Sequence, residues 1–180
     1  MSAMFSGCNM LISVPLFVTT SVTTMASMFF NCGSITTVPM FNTATVTIMT
    51  SMFSGCSSLS SCPTFNTAAV TNMVQMFNSC KNLSSIPPFN MGAVTNVTGF
   101  VTSGTQPTAA TSLQSCKVAA LPNLAHTFSF CYNLGAAALD EIFTALPAGG
   151  ASKVVNITNC RGSAGCTRSI ATGKGWVVTG

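Results

Sequence analysis

Met4-Phe5-Ser6-Gly7-Cys8, Met28-Phe29-Phe30-Asn31-Cys32, Met52-Phe53-Ser54-Gly55-Cys56 and Met76-Phe77-Asn78-Ser79-Cys80 are four statements of one phrase, each 24 residues after the last. A fixed period of that length marks a repeat architecture, in which one unit cannot bury its apolar face until a neighbour stacks on it. The phase extends outward from the phrase. Leu11, Ile35, Leu59 and Leu83 follow the cysteines, then Val14, Val38, Cys62 and Ile86, each followed by a proline. Phe17, Phe41, Phe65 and Phe89 come next, then Val22, Val46, Val70 and Val94, and Met25, Met49, Met73 and Val97 close the unit. In a fifth copy Phe100-Val101 takes the Met-Phe place and Gly104 the cysteine place.

Two periodicities alternate inside a unit. Val46, Met49, Met52, Phe53 and Cys56 recur at helical steps, as one face of a helix or of a few loose helical turns, with Thr43 placed as an N-cap. Ile35 to Met40 is short, rich in Thr and Val and punctuated by Pro39, as a brief edge-tolerant strand would be. The expected fold class is therefore an α/β repeat solenoid. It is a right-handed coil with one short parallel strand and one short helical return per 24 residues, its strands about 4.8 Å apart. Residues 1–107 form the regular part and 108–135 degenerate repeats. Residues 136–180 form a larger C-terminal repeat and capping segment on the same core, with helices at Leu139–Leu146 and Thr167–Thr172, strands at Lys153–Thr158 and Trp176–Thr179, and Trp176 capping the core.

The composite phrase Cys-x-x-Leu-x-x-Val-Pro-x-Phe-Asn-Thr-x-x-Val-Thr-x-Met-x-x-Met-Phe resembles the leucine-rich repeat of BspA-like bacterial surface proteins, also found in mycoplasma surface proteins and bacteriophage reading frames. The resemblance covers residues 1–101. It implies a leucine-rich-repeat-like solenoid used for adhesion or display, and it carries over no catalytic residue.

Only eight of the 180 residues are charged and none precedes Lys81, against about a quarter in ordinary globular chains. The polar surface falls to Ser, Thr and Asn, and a neutral hydroxyl face cannot steer an ionic ligand. The expected binding face is the strand side of the repeats, Ser34, Thr36, Thr37, Ser58, Ser60, Ser61, Asn82, Ser84 and Ser85. With a mean hydropathy of +0.56, a free monomer would be poorly soluble, which points to other protein chains of an assembly (a homo-oligomer or virion proteins) as partners. Host-surface glycan or protein is a further candidate partner. The net charge of +4 is scattered as single residues, which argues against nucleic acid. No run of 18 apolar residues argues for membrane insertion. Residues 1–22 lie in phase with the repeat and lack the basic start of a signal peptide, and the chain begins inside a unit. These features favour a virion component such as a tail-fibre, tail-tip or decoration protein. The alternative is a fragment of a secreted bacterial cell-surface adhesin, so the expected location is a virion or the cell surface.

No catalytic residue, cofactor or metal is expected. Cys8, Cys32, Cys56 and Cys80 fall in one column and read as buried thiols, and one histidine cannot complete a ligand set. Cys160 and Cys166 close a loop short enough for a disulfide, though nine cysteines leave at least one thiol over. His126, Cys131 and the pair Asp140-Glu141 are the only residues from which a nucleophile and base could be drawn. Cys131 instead follows the repeat phrase into the buried column, and Asp140-Glu141 open a short helix. Gly173-Lys174-Gly175 reads as a turn, not a phosphate loop.

Overall fold

The computed structural model describes residues 1–101, 134–148 and 153–180, and the backbone of 115–116 and 126–127. Most of the expected degenerate section, 108–135, lies outside the described residues.

Successive 24-residue units lie directly on one another, and their phenylalanines form two files. Phe5, Phe29, Phe53 and Phe77 stack with centroids 5.4, 5.6 and 5.7 Å apart and planes within 9° of parallel. Phe17, Phe41, Phe65 and Phe89 follow at 4.7, 6.4 and 6.5 Å. Cross-contacts such as Phe53 to Phe65, at 6.3 Å, join the files. Met25, Met28, Met49, Met52, Met73 and Met76 pack beside them with no exposed surface. One apolar column therefore runs through the repeats, because every unit offers the same side chain at the same height.

Of the two forms expected over Val46 to Cys56, a helix or a few loose helical turns, the chain takes a run of tight turns. Met52, Ser54 and Cys56 N–H donate to the carbonyls of Met49, Ser51 and Phe53 three residues back, at 3.3, 3.1 and 3.0 Å. The intervening N–H groups of Met49, Ser51, Phe53 and Gly55 cross to Asn72, Val74, Met76 and Asn78 O of the next unit, at 2.8–3.0 Å. An α-helix would keep all these donors to itself, whereas the turn run hands every second one to its neighbour. The alternation requires left-handed backbone at Ser51 (φ 53°) and Gly55 (φ 78°), as at Ser27 and Asn31 one unit earlier, and such residues stop a helix. Thr43 is no N-cap: its buried Oγ1 donates to Asn66 O at 2.8 Å, across to the next unit.

The strand expected at Ile35–Met40 is extended chain with sparse pairing. Thr36 N donates to Ile12 O at 3.4 Å and Ser60 N to Thr36 O at 3.0 Å, and the prolines that follow remove further donors. Among the described residues only β1, Ser85–Ile86, forms a ladder at this place in the repeat, parallel to β2, Ser115–Cys116. The principal parallel contact lies instead where the helical return was expected, as bridges Thr24 to Ile48 to Asn72 to Asn96.

A similar arrangement holds nearer the C-terminus. β3 (His126–Thr127), β4 (Val154–Asn156) and β5 (Val177–Thr179) form a parallel sheet aligning Thr127, Asn156 and Thr179. Asn156 Oδ1 accepts Thr158 N at 2.9 Å and Asn159 follows with φ 60°, as Asn72 Oδ1 accepts Val74 N at 3.0 Å and Gln75 follows with φ 53°. Between the strands lie α1, Ala136–Ala145, and α2, Ser169–Thr172. The first helix buries Ala138, Leu139, Ile142 and Phe143. Trp176 is buried and donates to Pro147 O at 2.9 Å.

Candidate functional site

The expected hydroxyl face is at the surface. Thr36, Thr37, Ser60, Ser61, Asn82, Ser84 and Ser85 are exposed, and Ser34 and Ser58 half-buried. Its hydroxyls are not idle. Ser60 Oγ donates to Thr36 O at 3.2 Å and Ser84 Oγ to Ser60 O at 3.4 Å, and beside the face Ser57 Oγ donates to Gly33 O at 3.2 Å, each reaching one unit back.

A second ladder escaped the sequence reading. Exposed Thr47, Thr71 and Thr95 each donate Oγ1–H to the carbonyl of the threonine 24 residues earlier, at 3.1–3.2 Å. Their backbone N–H groups reach the same carbonyls at 2.8 Å. The signal was the pair Val-Thr at 22–23, 46–47, 70–71 and 94–95, in which the valine is the inward partner and the threonine points out. Because each hydroxyl proton is committed to a carbonyl, both ladders turn lone pairs to solvent. Chemically, they are neutral rows of hydrogen-bond acceptors.

The thiol column is internal. Cys32, Cys56 and Cys80 donate S–H to Phe5, Phe29 and Phe53 O at 2.9–3.0 Å. Burial pushes Cys56 up to about 12, with the neighbouring Cys32 adding to the rise, and it also raises Cys32 and Cys80. Cys62, half-buried, is raised by burial as well. These groups are thiols at neutral pH and offer no thiolate nucleophile. Cys8, at the first unit, is exposed. Cys160 and Cys166 are not joined in this structure: Cys166 Sγ donates to Ser163 O at 3.3 Å and Cys160 is buried.

The residues weighed as a nucleophile–base set do not meet among the described residues. The side chains of His126 and Cys131 lie outside them. Asp140 sits in the middle of α1, not at its opening, because the helix begins earlier, at Ala136. Its carboxylate accepts Thr167 N at 2.6 Å and Thr167 Oγ1 at 3.0 Å, tying α1 to the approach of α2. Lys174 donates to Thr144 O at 2.6 Å and Leu146 O at 2.8 Å, carbonyls at the end of α1, where a cation is favoured. Arg168 donates to Ser163 O at 3.0 Å and to Gly180 O. Among the described residues no three His, Cys, Asp or Glu converge as metal ligands, and no helix is long and apolar enough to cross a membrane.

A shallow groove of about 370 Å³ lies beside the first two units, lined by Leu16, Phe17, Val18, Thr19, Thr20, Met40 and Asn42. A family model described as "Mycoplasma protein of unknown function, DUF285" matches residues 1–116. No curated protein and no solved structure matches the chain.

Proposed function

The chain belongs to the DUF285 family, and from that premise we propose that it is a non-catalytic binding and structural module. In this reading it is a leucine-rich-repeat-like solenoid of the BspA-like type. It is carried on a virion, as a tail-fibre, tail-tip or decoration protein, and attaches to a host surface or to neighbouring subunits. The observation that carries it is the disposition of the polar groups. Hydroxyl protons on the two ladders go to carbonyls of the neighbouring unit, and the column thiols are buried and protonated. That leaves neutral, regular rows of acceptors along the two ladders and a thiol column held protonated beneath them. Such a surface suits extended, repeated contact better than the enclosure of a reacting group.

The printed family description, with its reference to Mycoplasma, favours a second reading, a cell-surface adhesin that binds host protein or glycan. Antibody against the chain, applied to purified virions and to intact, protease-treated cells, separates the two. Signal that follows particles supports the first, and signal removed from cells by protease supports the second. A chain confined to the cytosol as a monodisperse monomer overturns both. Binding to the target is expected to fall at least tenfold when Thr36, Ser60 and Ser84 are all replaced by lysine, which puts charge on the proposed face. Unchanged binding would remove that face from the proposal.

A further inference from the structure

The first unit departs from the repeat at positions that are exposed or half-buried in the later units. Where Ser34, Ser58 and Asn82 stand later, it has Met10. Where Thr36, Ser60 and Ser84 stand, it has Ile12, and where Asn42, Asn66 and Asn90 stand, it has Val18. Leu16 and, one unit on, Met40 occupy the place later taken by Thr64 and Pro88. The five apolar side chains are exposed by 87, 66, 82, 66 and 62% for Met10, Ile12, Val18, Leu16 and Met40. For Ile12, Val18 and Leu16 this exposure belongs to the outer side of the repeat: Thr36, Ser60, Asn42, Asn66 and Thr64 at the matching places are exposed too, whereas Ser34 and Ser58, at the place of Met10, are half-buried. A polar pattern has been replaced by an apolar one at a single locality, beside the groove. Apart from Val177, every large exposed hydrophobic among the described residues belongs to the first two units.

We infer that this patch is an interface through which two copies of the chain pair about a two-fold axis. Five such side chains present on the order of 600 Å² of apolar surface, at the upper end of what a monomer leaves as its largest patch. Two of them facing each other bury about 1,200 Å², the lower bound of a stable specific interface. No charged side chain precedes Lys81, so two copies meet here without repulsion, and a charged protein partner would find nothing to pair with. The same absence disfavours a lipid surface, which is ordinarily held by Lys and Arg around the apolar face. With the same patch on both copies the contact is isologous, and an isologous contact closes at two copies. The inference does not rest on the adhesion reading.

The test uses the full 180-residue chain in sedimentation velocity across nanomolar to tens-of-micromolar concentration. The variant Met10→Ser, Ile12→Thr, Val18→Asn restores residues that the later units carry at those places. A second variant, Leu16→Thr with Met40→Thr, attacks the other side of the patch. The wild type is expected to reach a dimer limit at micromolar concentration. Both variants should dissociate at least about 100-fold more readily, as loss of a central apolar cluster does, with urea midpoints that match the wild type at nanomolar concentration, where pairing no longer adds to stability. If the triple variant loses its fold, the second one decides. A monomeric wild type, variants that pair as before, assembly that grows past two copies, or association only with phosphatidylcholine vesicles would each overturn the inference.

Discussion

Phe53 and Phe5 occupy the same position two units apart and differ in what covers them, so replacing each by alanine separates stacking from side-chain identity. Phe53 has no exposed surface and lies between Phe29 at 5.6 Å and Phe77 at 5.7 Å, with Phe65 at 6.3 Å. A buried Phe→Ala change costs about 3–5 kcal/mol in transfer and cavity, and two good ring pairs place Phe53 toward the top of that range. Phe5 is half-buried and stacks on one side of its file, against Phe29 at 5.4 Å, with Phe17 at 6.1 Å. Its loss should cost about 2 kcal/mol, since part of the ring is in water in the folded state. The assay is urea unfolding followed by far-ultraviolet circular dichroism. With a slope of about 2 kcal/mol/M, Phe53→Ala moves the midpoint down by about 2 M and Phe5→Ala by about 1 M. Equal shifts would refute the reasoning, because they would mean that neighbouring units add nothing to the worth of a ring in the file. A shift below about 0.5 M for Phe53→Ala would do so more directly, by the same slope.

Two further outcomes follow from the backbone and the thiols. Cys32, Cys56, Cys62 and Cys80 have folded values raised by burial above the unfolded value near 9. Their contribution is complete below pH 9, and it is lost as pH rises from there through the folded values, because only the unfolded chain then releases the proton. Cys56, Cys62 and Cys80, whose folded values lie well above 9, each add a slope of about 1 kcal/mol per pH unit, so the melting temperature should hold to pH 9 and drop between 9 and 11. Cys56→Ala should soften the drop, and a flat profile to pH 11 would contradict the burial argument. Gly55→Ala places a Cβ at φ +78° against Asn31 Oδ1, and should cost about 1–3 kcal/mol. Gly33→Ala, whose Cβ meets only Ser57 Oγ at 3.6 Å, should stay within about 0.5 kcal/mol. Adding Asn31→Gly should recover part of the Gly55→Ala loss, and full additivity in calorimetry would show that the two side chains do not meet.

The buried columns were legible because a residue that must be covered by its own counterpart recurs at fixed phase; Phe29, Phe53, Phe77, Cys56 and Leu59 are all found buried. The backbone between them was not. Consecutive four-residue turns give the same apolar spacing as a helix, three then one then three, and only the left-handed residues distinguish the two. Those residues were Ser27, Asn31, Ser51 and Gln75 as well as glycines, and the side chains alone do not announce a positive φ. The bridge column Thr24, Ile48, Asn72 and Asn96 was hidden for the same reason, since one residue per unit leaves no alternation to read. The hydroxyl face was half legible. The exposed Ser and Thr at 36, 60 and 84 were identified, but the threonines at 47, 71 and 95 were absorbed into an expected helix. Met10, Ile12 and Val18 were readable as departures from a pattern already in hand. A search for what repeats passes over what fails to repeat.

The commitment of hydroxyl protons to the neighbouring unit bears on what these surfaces can hold. An acceptor row offers each incoming donor a neutral hydrogen bond of about 1 kcal/mol net, with no charge to steer the encounter or strengthen the contact. Thr47, Thr71 and Thr95 together therefore supply only about 3 kcal/mol, weaker than the millimolar range even before the entropy of association is charged against them. A module of this kind reaches useful affinity by length and by number, each added row being nearly intramolecular once the first is engaged. Pairing through the first unit would double the rows presented without adding a charged group. On that logic the apolar patch and the acceptor ladders are complementary: one gathers copies, and the other needs them gathered.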